Sequence, residues 1–204
     1  MTRRPIMDAG PGINFFSLNK ERLLIATLGP LSVPEIVHEE IRRKARQEQR
    51  FASAERVLAK LPEKYLKVLS DDVTDELSAV VNRIAGMPME TRVRARKDLG
   101  ETMVVAHAVV AAEAGESTTV LIDDGGGRRM AAAEAQRLER LREAGRQVGH
   151  LRLISTRAVL KNAAGTVHLP DRQAMRDLYT RLRQLDDGLV PLEQAGLMDL
   201  SCWS

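Results

Sequence analysis

Apolar positions along the chain switch between short compact runs and longer stretches spaced by three and four residues, the alternation expected of an α/β domain with parallel strands. Pro5-Ile6-Met7 reads as a brief first strand running into Asp8. Gly10-Pro11-Gly12 reads as a turn, and Ile13 to Phe16 with Leu23-Leu24-Ile25 as a helix packed on a sheet. Leu28 to Val33 is extended, and Pro34-Glu35 opens a helix, because proline suits the first turn and a carboxylate favours its positive end. Ile36, Val37 and Ile41 form its inward face, and the helical pattern continues, with a break, through Phe51, Val57, Leu58 and Leu61 to a stop at Pro62. Tyr65 to Leu69 alternates as a strand. Thr74-Asp75-Glu76 caps a helix carrying Leu77, Val80, Val81 and Ile84, closed by Gly86.

After Pro88 a basic stretch, Arg92, Arg94, Arg96 and Lys97, precedes Asp98-Leu99-Gly100-Glu101 and a helix from Met103 to Ala114. That helix is apolar on nearly all sides, so it belongs inside. Thr118 to Ile122 is the clearest strand, β-branched and followed at once by Asp123-Asp124-Gly125-Gly126-Gly127, which reads as a loop or strand-to-helix hinge. Arg128 to Ala144 is helical, Leu151 to Ile154 is a strand, and Asp171 to Leu185 is a helix with Met175, Leu178, Tyr179 and Leu182 on one face. No internal repeat is present. The expected organisation is one domain over 1–204, with a core of about 5–156 and a C-terminal helical extension of about 157–204.

Composition narrows the partners. With 44% hydrophobic and 29% charged residues in a 204-residue chain, a disordered tail is excluded. The longest apolar stretch, Met103 to Ala112, is interrupted by His107 and falls short of the roughly 20 residues a membrane span needs. Met1-Thr2-Arg3-Arg4-Pro5 is basic but leads into Asp8-Ala9-Gly10-Pro11 rather than an apolar signal core, so the expected location is the cytoplasm. The single cysteine, Cys202, excludes a disulfide framework and a thiolate cage, and reads as a bystander. The net charge of +3 is a small excess of 31 basic over 28 acidic residues, so an anionic partner must meet local patches. Aromatics at 3% leave no stacking platform, so arginine would have to hold any nucleic acid.

In parallel α/β sheets ligands bind outside the carboxyl ends of the strands. Asp8 and the Asp123-Asp124 pair end strands, Glu40 lies in the helix after Pro34, and Glu101 lies at the start of the buried helix. Such acids repel one another unless a hard divalent cation, Mg²⁺ or Mn²⁺, supplies counter-charge. His38, His107, His150 and His168 are scattered without metal-ligand spacing, and His107 reads as a core histidine.

Four segments in order resemble the PIN-domain ribonucleases, in particular the VapC-like toxins of bacterial toxin–antitoxin pairs. Ile6-Met7-Asp8-Ala9-Gly10-Pro11-Gly12-Ile13-Asn14 resembles the first-strand motif, and Val33-Pro34-Glu35-Ile36-Val37-His38-Glu39-Glu40-Ile41 the helix with the second acid. Glu40 is preferred over Glu39 because, three residues after Val37, it shares that residue's face. Asp98-Leu99-Gly100-Glu101-Thr102-Met103-Val104-Val105-Ala106 is similar to the Gly-Glu helix start, with Glu where Asp is commoner. Val120 to Arg129 is similar to the fourth-strand motif, and Leu151 to Ser155 with Thr156 to the last strand. The resemblance implies a three-layer αβα fold with a central, mostly parallel sheet. It also implies metal-assisted hydrolysis of RNA, with Asp8, Glu40, Glu101 and Asp123 as catalytic metal ligands, Asp124 beside them, and Arg128, Arg129 and Thr156 contacting substrate. A homodimer and a cognate antitoxin protein are the implied partners.

The first strand is short for that family, and Gly10 stands where relatives carry Ser or Thr. The longer, basic segment between Ile41 and Lys97 suits a substrate clamp, a dimer surface or an antitoxin seat. Each acid also has a plain structural role open to it. Asp8 can start a turn or helix, Glu40 can pair with Lys44 at i+4, Glu101 can favour a helix dipole with Asp98 as cap, and Asp123-Asp124 can form a turn. A weakly catalytic module binding RNA or protein, and a nuclease acting on DNA or structured RNA, are the alternatives.

Overall fold

Described by a computed structural model, residues 3–203 form the fold; Met1 and Thr2 of the basic N-terminal run and Ser204 of the tail lie outside the described residues. Five strands, β1 (Ile6–Met7), β2 (Leu31–Pro34), β3 (Leu66–Leu69), β4 (Thr118–Leu121) and β5 (Leu151–Ile154), build one sheet in the order β3-β2-β1-β4-β5. Every pairing is parallel, more uniform than the mostly parallel sheet expected. β1 is the centre: Ile6 registers with Ser32 on one side and Val120 on the other, and Met7 with Leu121. Two residues suffice there because both are fully buried, and the amide of Asp8 extends the ladder by donating to Leu121 O at 3.0 Å. Strands covered on both faces need continuous apolar runs rather than alternation, which is what Val120-Leu121-Ile122 supplies, while β2 buries Ser32 between Leu31 and Val33.

Helices flank this sheet in the three-layer arrangement. Between β1 and β2 run α1 (Ala9–Ser17) and α2 (Glu21–Leu28); then come α3 (Glu35–Gln47), α4 (Ala52–Lys60), α5 (Asp75–Ala85), the short α6 (Met89–Arg92), α7 (Leu99–Glu113), α8 (Gly125–Glu143), α9 (Thr156–Ala163), α10 (Arg172–Leu185) and the short α11 (Leu192–Ala195). α7 is the internal helix its composition requires: eleven of its fifteen residues are buried, and it touches β1, β2, β4 and β5. Thr74 caps α5 through Leu77 N, and Gly86 ends it in the left-handed region at φ 66°, as the sequence indicates. His107 is satisfied, with Nε2 at 2.7 Å from Asp71 Oδ1, while Asp71 Oδ2 accepts from Ile36 N at the start of α3.

Three local expectations give way. Gly10-Pro11-Gly12 is no turn but the beginning of α1, where proline at the third helical position has no intrahelical amide to lose. The single helix expected over residues 13–25 is two, α1 and α2, broken where Asn19 adopts φ 53°. Gly125-Gly126-Gly127 is the first turn of α8 and not a loop, because Asp124 Oδ2 accepts from the amides of Gly126 and Gly127. The C-terminal residues close onto the rest: α9 packs against α2, Asn14 Nδ2 donates to Asp186 Oδ2 at 2.8 Å, and Trp203 Nε1 donates to Leu197 O.

Arg92, grouped by sequence with the basic run ahead of α7, is 7% exposed and faces inward. Its guanidinium donates to Ala95 O, Lys97 O and Thr102 Oγ1, tying residues 93–98 down onto the start of α7. Replacing it, Arg92→Met, leaves the buried Thr102 Oγ1 and the carbonyls that hold the exposed 93–98 segment onto α7 without their donor. The expected loss is about 2–4 kcal/mol in urea unfolding, against under about 0.5 kcal/mol for the exposed Arg94→Met.

Candidate functional site

Because all strands are parallel, their carboxyl ends share one edge, and the chain leaves β1 and β4 there with an acid in each case. Asp8 follows β1 at once and is 5% exposed. Glu40 comes from the second turn of α3 and Glu101 from the first turn of α7. The point where a Gly100 Cβ would stand is 3.2 Å from Glu40 Oε2 and 3.7 Å from Asp8 Oδ1, so a glycine there lets α7 approach both carboxylates. At Gly127 a Cβ would stand 2.3 Å from Ile122 Cδ1 and 3.1 Å from Glu101 Cγ, so α8 closes on Glu101 only without a side chain.

The result is a cavity of about 320 Å³ lined by Asp8, Glu40, Glu101, Asp123 and Asp124 together with Lys44 and Asp186. All five acids singled out from sequence face it. Their present bonds differ. Lys44 Nζ lies 2.8 Å from Glu40 Oε1, the i+4 pair open to it from sequence. Asp123 is gripped by α9: Thr156 N donates to Oδ1 at 2.8 Å and Thr156 Oγ1 to Oδ2 at 2.5 Å. Asp124 caps α8. Asp8 occupies the N-cap position of α1 without a side-chain cap bond, and Asp98 likewise forms none at the start of α7. Among the described residues, no group of three or more His, Cys, Asp or Glu side chains is so arranged that it could hold a metal ion.

The substrate-contacting residues suggested by resemblance sit elsewhere. Thr156 has no exposed surface and spends its hydroxyl on Asp123. Arg128 NH1 donates to Ile122 O, and its charge favours the Asp123 carboxylate. Arg129 lies on the exposed side of α8 beside Gly125; neither arginine lines the cavity. Two lining residues escaped the sequence reading. Asp186, fixed by Asn14 Nδ2 and by the Gly188 amide, follows α10 in Asp186-Asp187-Gly188, the acid-acid-glycine signature that drew attention to Asp123. Lys44 was visible only as a partner for Glu40.

Crowding of carboxylates shifts their proton affinity. Burial, then the charges of Glu101 and Glu40, push Asp8 up to about 7, although the amides of Ala9 and Gly10 offset part of this. Burial raises Glu101 as well, with Glu40, Asp98 and Asp124 adding to it against its own amide. Asp123 is raised by burial and by Asp186, despite the Thr156 hydrogen bonds and Arg128. The cavity is therefore a negative site whose lining, among the described residues, carries one cationic side chain, Lys44. No family model matches the chain, and neither a curated protein nor a solved structure matches it significantly.

A pH dependence of stability follows. Without added cations, folded protein keeps the Asp8 proton up to about pH 7, whereas the unfolded chain loses it near 3.8. The folded state holds the extra proton between these values, so stability falls as pH rises through that window. Asp8→Asn removes this loss. In urea unfolding with a chelator present, the variant should match the wild type at pH 4 and exceed it by roughly 2–4 kcal/mol at pH 8. A difference that does not grow with pH would contradict the burial of a protonated Asp8.

Proposed function

We propose that this chain is a divalent-cation-dependent phosphodiesterase acting on RNA, an endoribonuclease of the PIN-like kind and the toxin of a toxin–antitoxin pair acting in the cytoplasm. One observation carries the reading: Asp8, Glu40, Glu101 and Asp123, far apart in sequence and held by separate elements, face one cavity at the carboxyl edge of a parallel sheet. A fold-stabilising role does not account for it, since burial raises the proton affinity of both Asp8 and Glu101, with Glu101 and Glu40 adding to it at Asp8 and Glu40, Asp98 and Asp124 adding to it at Glu101. Hard oxygen donors of this sort fit Mg²⁺ or Mn²⁺. As they stand no three of these acids converge on one point; Asp8, Glu40 and Glu101 would hold such an ion only after Glu40 exchanges Lys44 for it and Asp8 gives up its proton, while Asp123, tied to Thr156, completes the negative wall. Bound there, the cation would lower the pKa of a water and offset charge at the phosphorus. The residues themselves contribute orientation: α7 and α8 fix Glu101, and Thr156 fixes Asp123.

A second reading has its own support. Lys44 already neutralises Glu40, Asp124 is spent on capping and Asp123 on Thr156, which suits a module that binds RNA or a protein partner without cutting it.

Cleavage of single-stranded RNA, structured RNA and DNA by purified protein, with Mn²⁺ or Mg²⁺ and with EDTA, separates the two. Expected is RNA cleavage abolished by EDTA and reduced at least about 100-fold in the Asp8→Asn, Asp123→Asn double variant, equivalent to about 2.7 kcal/mol of barrier. Absence of cleavage by folded protein, together with absence of Mn²⁺ binding in calorimetry, would transfer the assignment to the binding module. DNA cleaved in preference to RNA would change the substrate class while keeping the chemistry.

A further inference from the structure

Lys44 stands at a junction. Its ammonium lies 2.8 Å from Glu40 Oε1, and the same side chain lines both the acid cavity and an adjoining cavity of about 230 Å³ with Asn14, Glu48 and Asp186. Along α3, Lys44 has one carboxylate a turn before it, Glu40, and another a turn after it, Glu48 at the helix end. The two pairings are unequal. Glutamate four residues ahead of lysine is the better order on a helix, and Glu48 Oε2 already accepts from Arg50 Nε at 2.9 Å. Glu40 therefore keeps the ammonium while nothing competes for it. The other oxygen of Glu40, Oε2, lies toward Asp8: it is 3.2 Å, and Asp8 Oδ1 3.7 Å, from the point where a Gly100 Cβ would stand.

Resting on the reading of the acid cavity as a divalent-cation site, we infer that Lys44 is a tethered competitor for that cation: its ammonium takes the place of the ion in the resting protein and swings toward Glu48 before an ion can engage Glu40. Three observations meet in this residue. Among the described residues that line the cavity, Lys44 is the one cation facing its acids. While the ammonium holds Glu40, no three acids among the described residues are arranged to hold an ion. The partly exposed lysine stem also has somewhere to go, since the adjoining cavity offers space and the carboxylates of Glu48 and Asp186. An ion on Glu40 would stand within a few ångströms of the ammonium, where like charges repel. Ion and ammonium therefore exclude one another, and Lys44 sets the concentration at which the site fills. A lysine clear of Glu40 for about a tenth of the time weakens the apparent affinity about tenfold.

Calorimetric titration of Mn²⁺ into the purified protein at constant pH, with no nucleic acid present, tests this independently of cleavage. Lys44→Met, which keeps the stem and drops the charge, should bind Mn²⁺ at least about tenfold tighter than the wild type, whereas Lys44→Arg, which keeps the charge, should stay within about threefold of it. Glu48→Gln separates displacement from a mere nearby charge. It should weaken Mn²⁺ binding about threefold in the wild type and leave Lys44→Met unchanged, because only a lysine that leaves Glu40 has use for Glu48. A pair that merely supports α3 would cost Lys44→Met stability in urea and leave its Mn²⁺ affinity at the wild-type value. Equal affinity of Lys44→Met and wild type, Lys44→Arg as tight as Lys44→Met, or an equal effect of Glu48→Gln in both backgrounds overturns the inference even if RNA is cleaved. Binding by neither protein overturns it and removes the cation reading with it. Tighter binding by Lys44→Met, with Glu48→Gln acting only in the wild type, in a protein that cleaves no nucleic acid upholds the role of Lys44 and removes the hydrolase reading instead.

Discussion

A two-residue strand governs this molecule. Ile6 and Met7 lie at the centre of a parallel sheet, buried on both faces and paired on both sides, so the chain can leave β1 only at the edge where β2 and β4 also end. The first residue out is Asp8, which is thereby committed to a nearly water-free position among other carboxylates. A side chain that titrates so far from its ordinary range works against folding at neutral pH, and the hydrophobic interior has to outweigh it. The interior helix α7, with Met103, Val104, Val105 and Val109 all buried, supplies much of that excess at about 1.5–3 kcal/mol per large side chain.

Glycine sets how tightly the acids are gathered. At Gly127 the start of α8 approaches Ile122 more closely than a Cβ would permit and lies tight against the stem of Glu101, and at Gly100 a Cβ would press on the Glu40 carboxylate. The positions of Glu40 and Glu101 thus depend on backbone contact rather than on long side chains reaching across open space, and Arg92 holds the preceding loop so that this contact persists. Such an arrangement stores electrostatic repulsion in a rigid frame, the usual signature of a site kept for something other than stability.

Much of this was legible in the sequence because its signals are local. The compact run Thr118 to Ile122, the all-round apolarity of Met103 to Ala114, the Thr74 cap and the Gly86 terminator each mark an element without reference to the rest of the chain. Asp8, Asp123 and Asp124 were legible because parallel strands impose a common edge and an acid next to a strand end must lie along it, whereas Glu40 and Glu101, inside helices, were picked out by their helix positions and by the resemblance. What escaped depends on tertiary context. The glycine run after Asp124 looks like a loop until a side-chain cap makes it a helix start, and Arg92 looks like one more surface cation until Ala95 O, Lys97 O and Thr102 Oγ1 close around it. Asp186 follows an amphipathic helix whose place over the site is set by Asn14, 172 residues earlier in the chain.

The wall contributed by Asp186 and Gly188 has a temporal consequence. Asp8, the floor of the cavity, is synthesised 178 residues before Asp186, and the residues that finish the cavity are made only after α10. A nascent chain therefore carries its most strained acid through the making of all the intervening elements without the enclosure that surrounds it in the finished fold. The compartment comes into being as a late event, timed by translation itself.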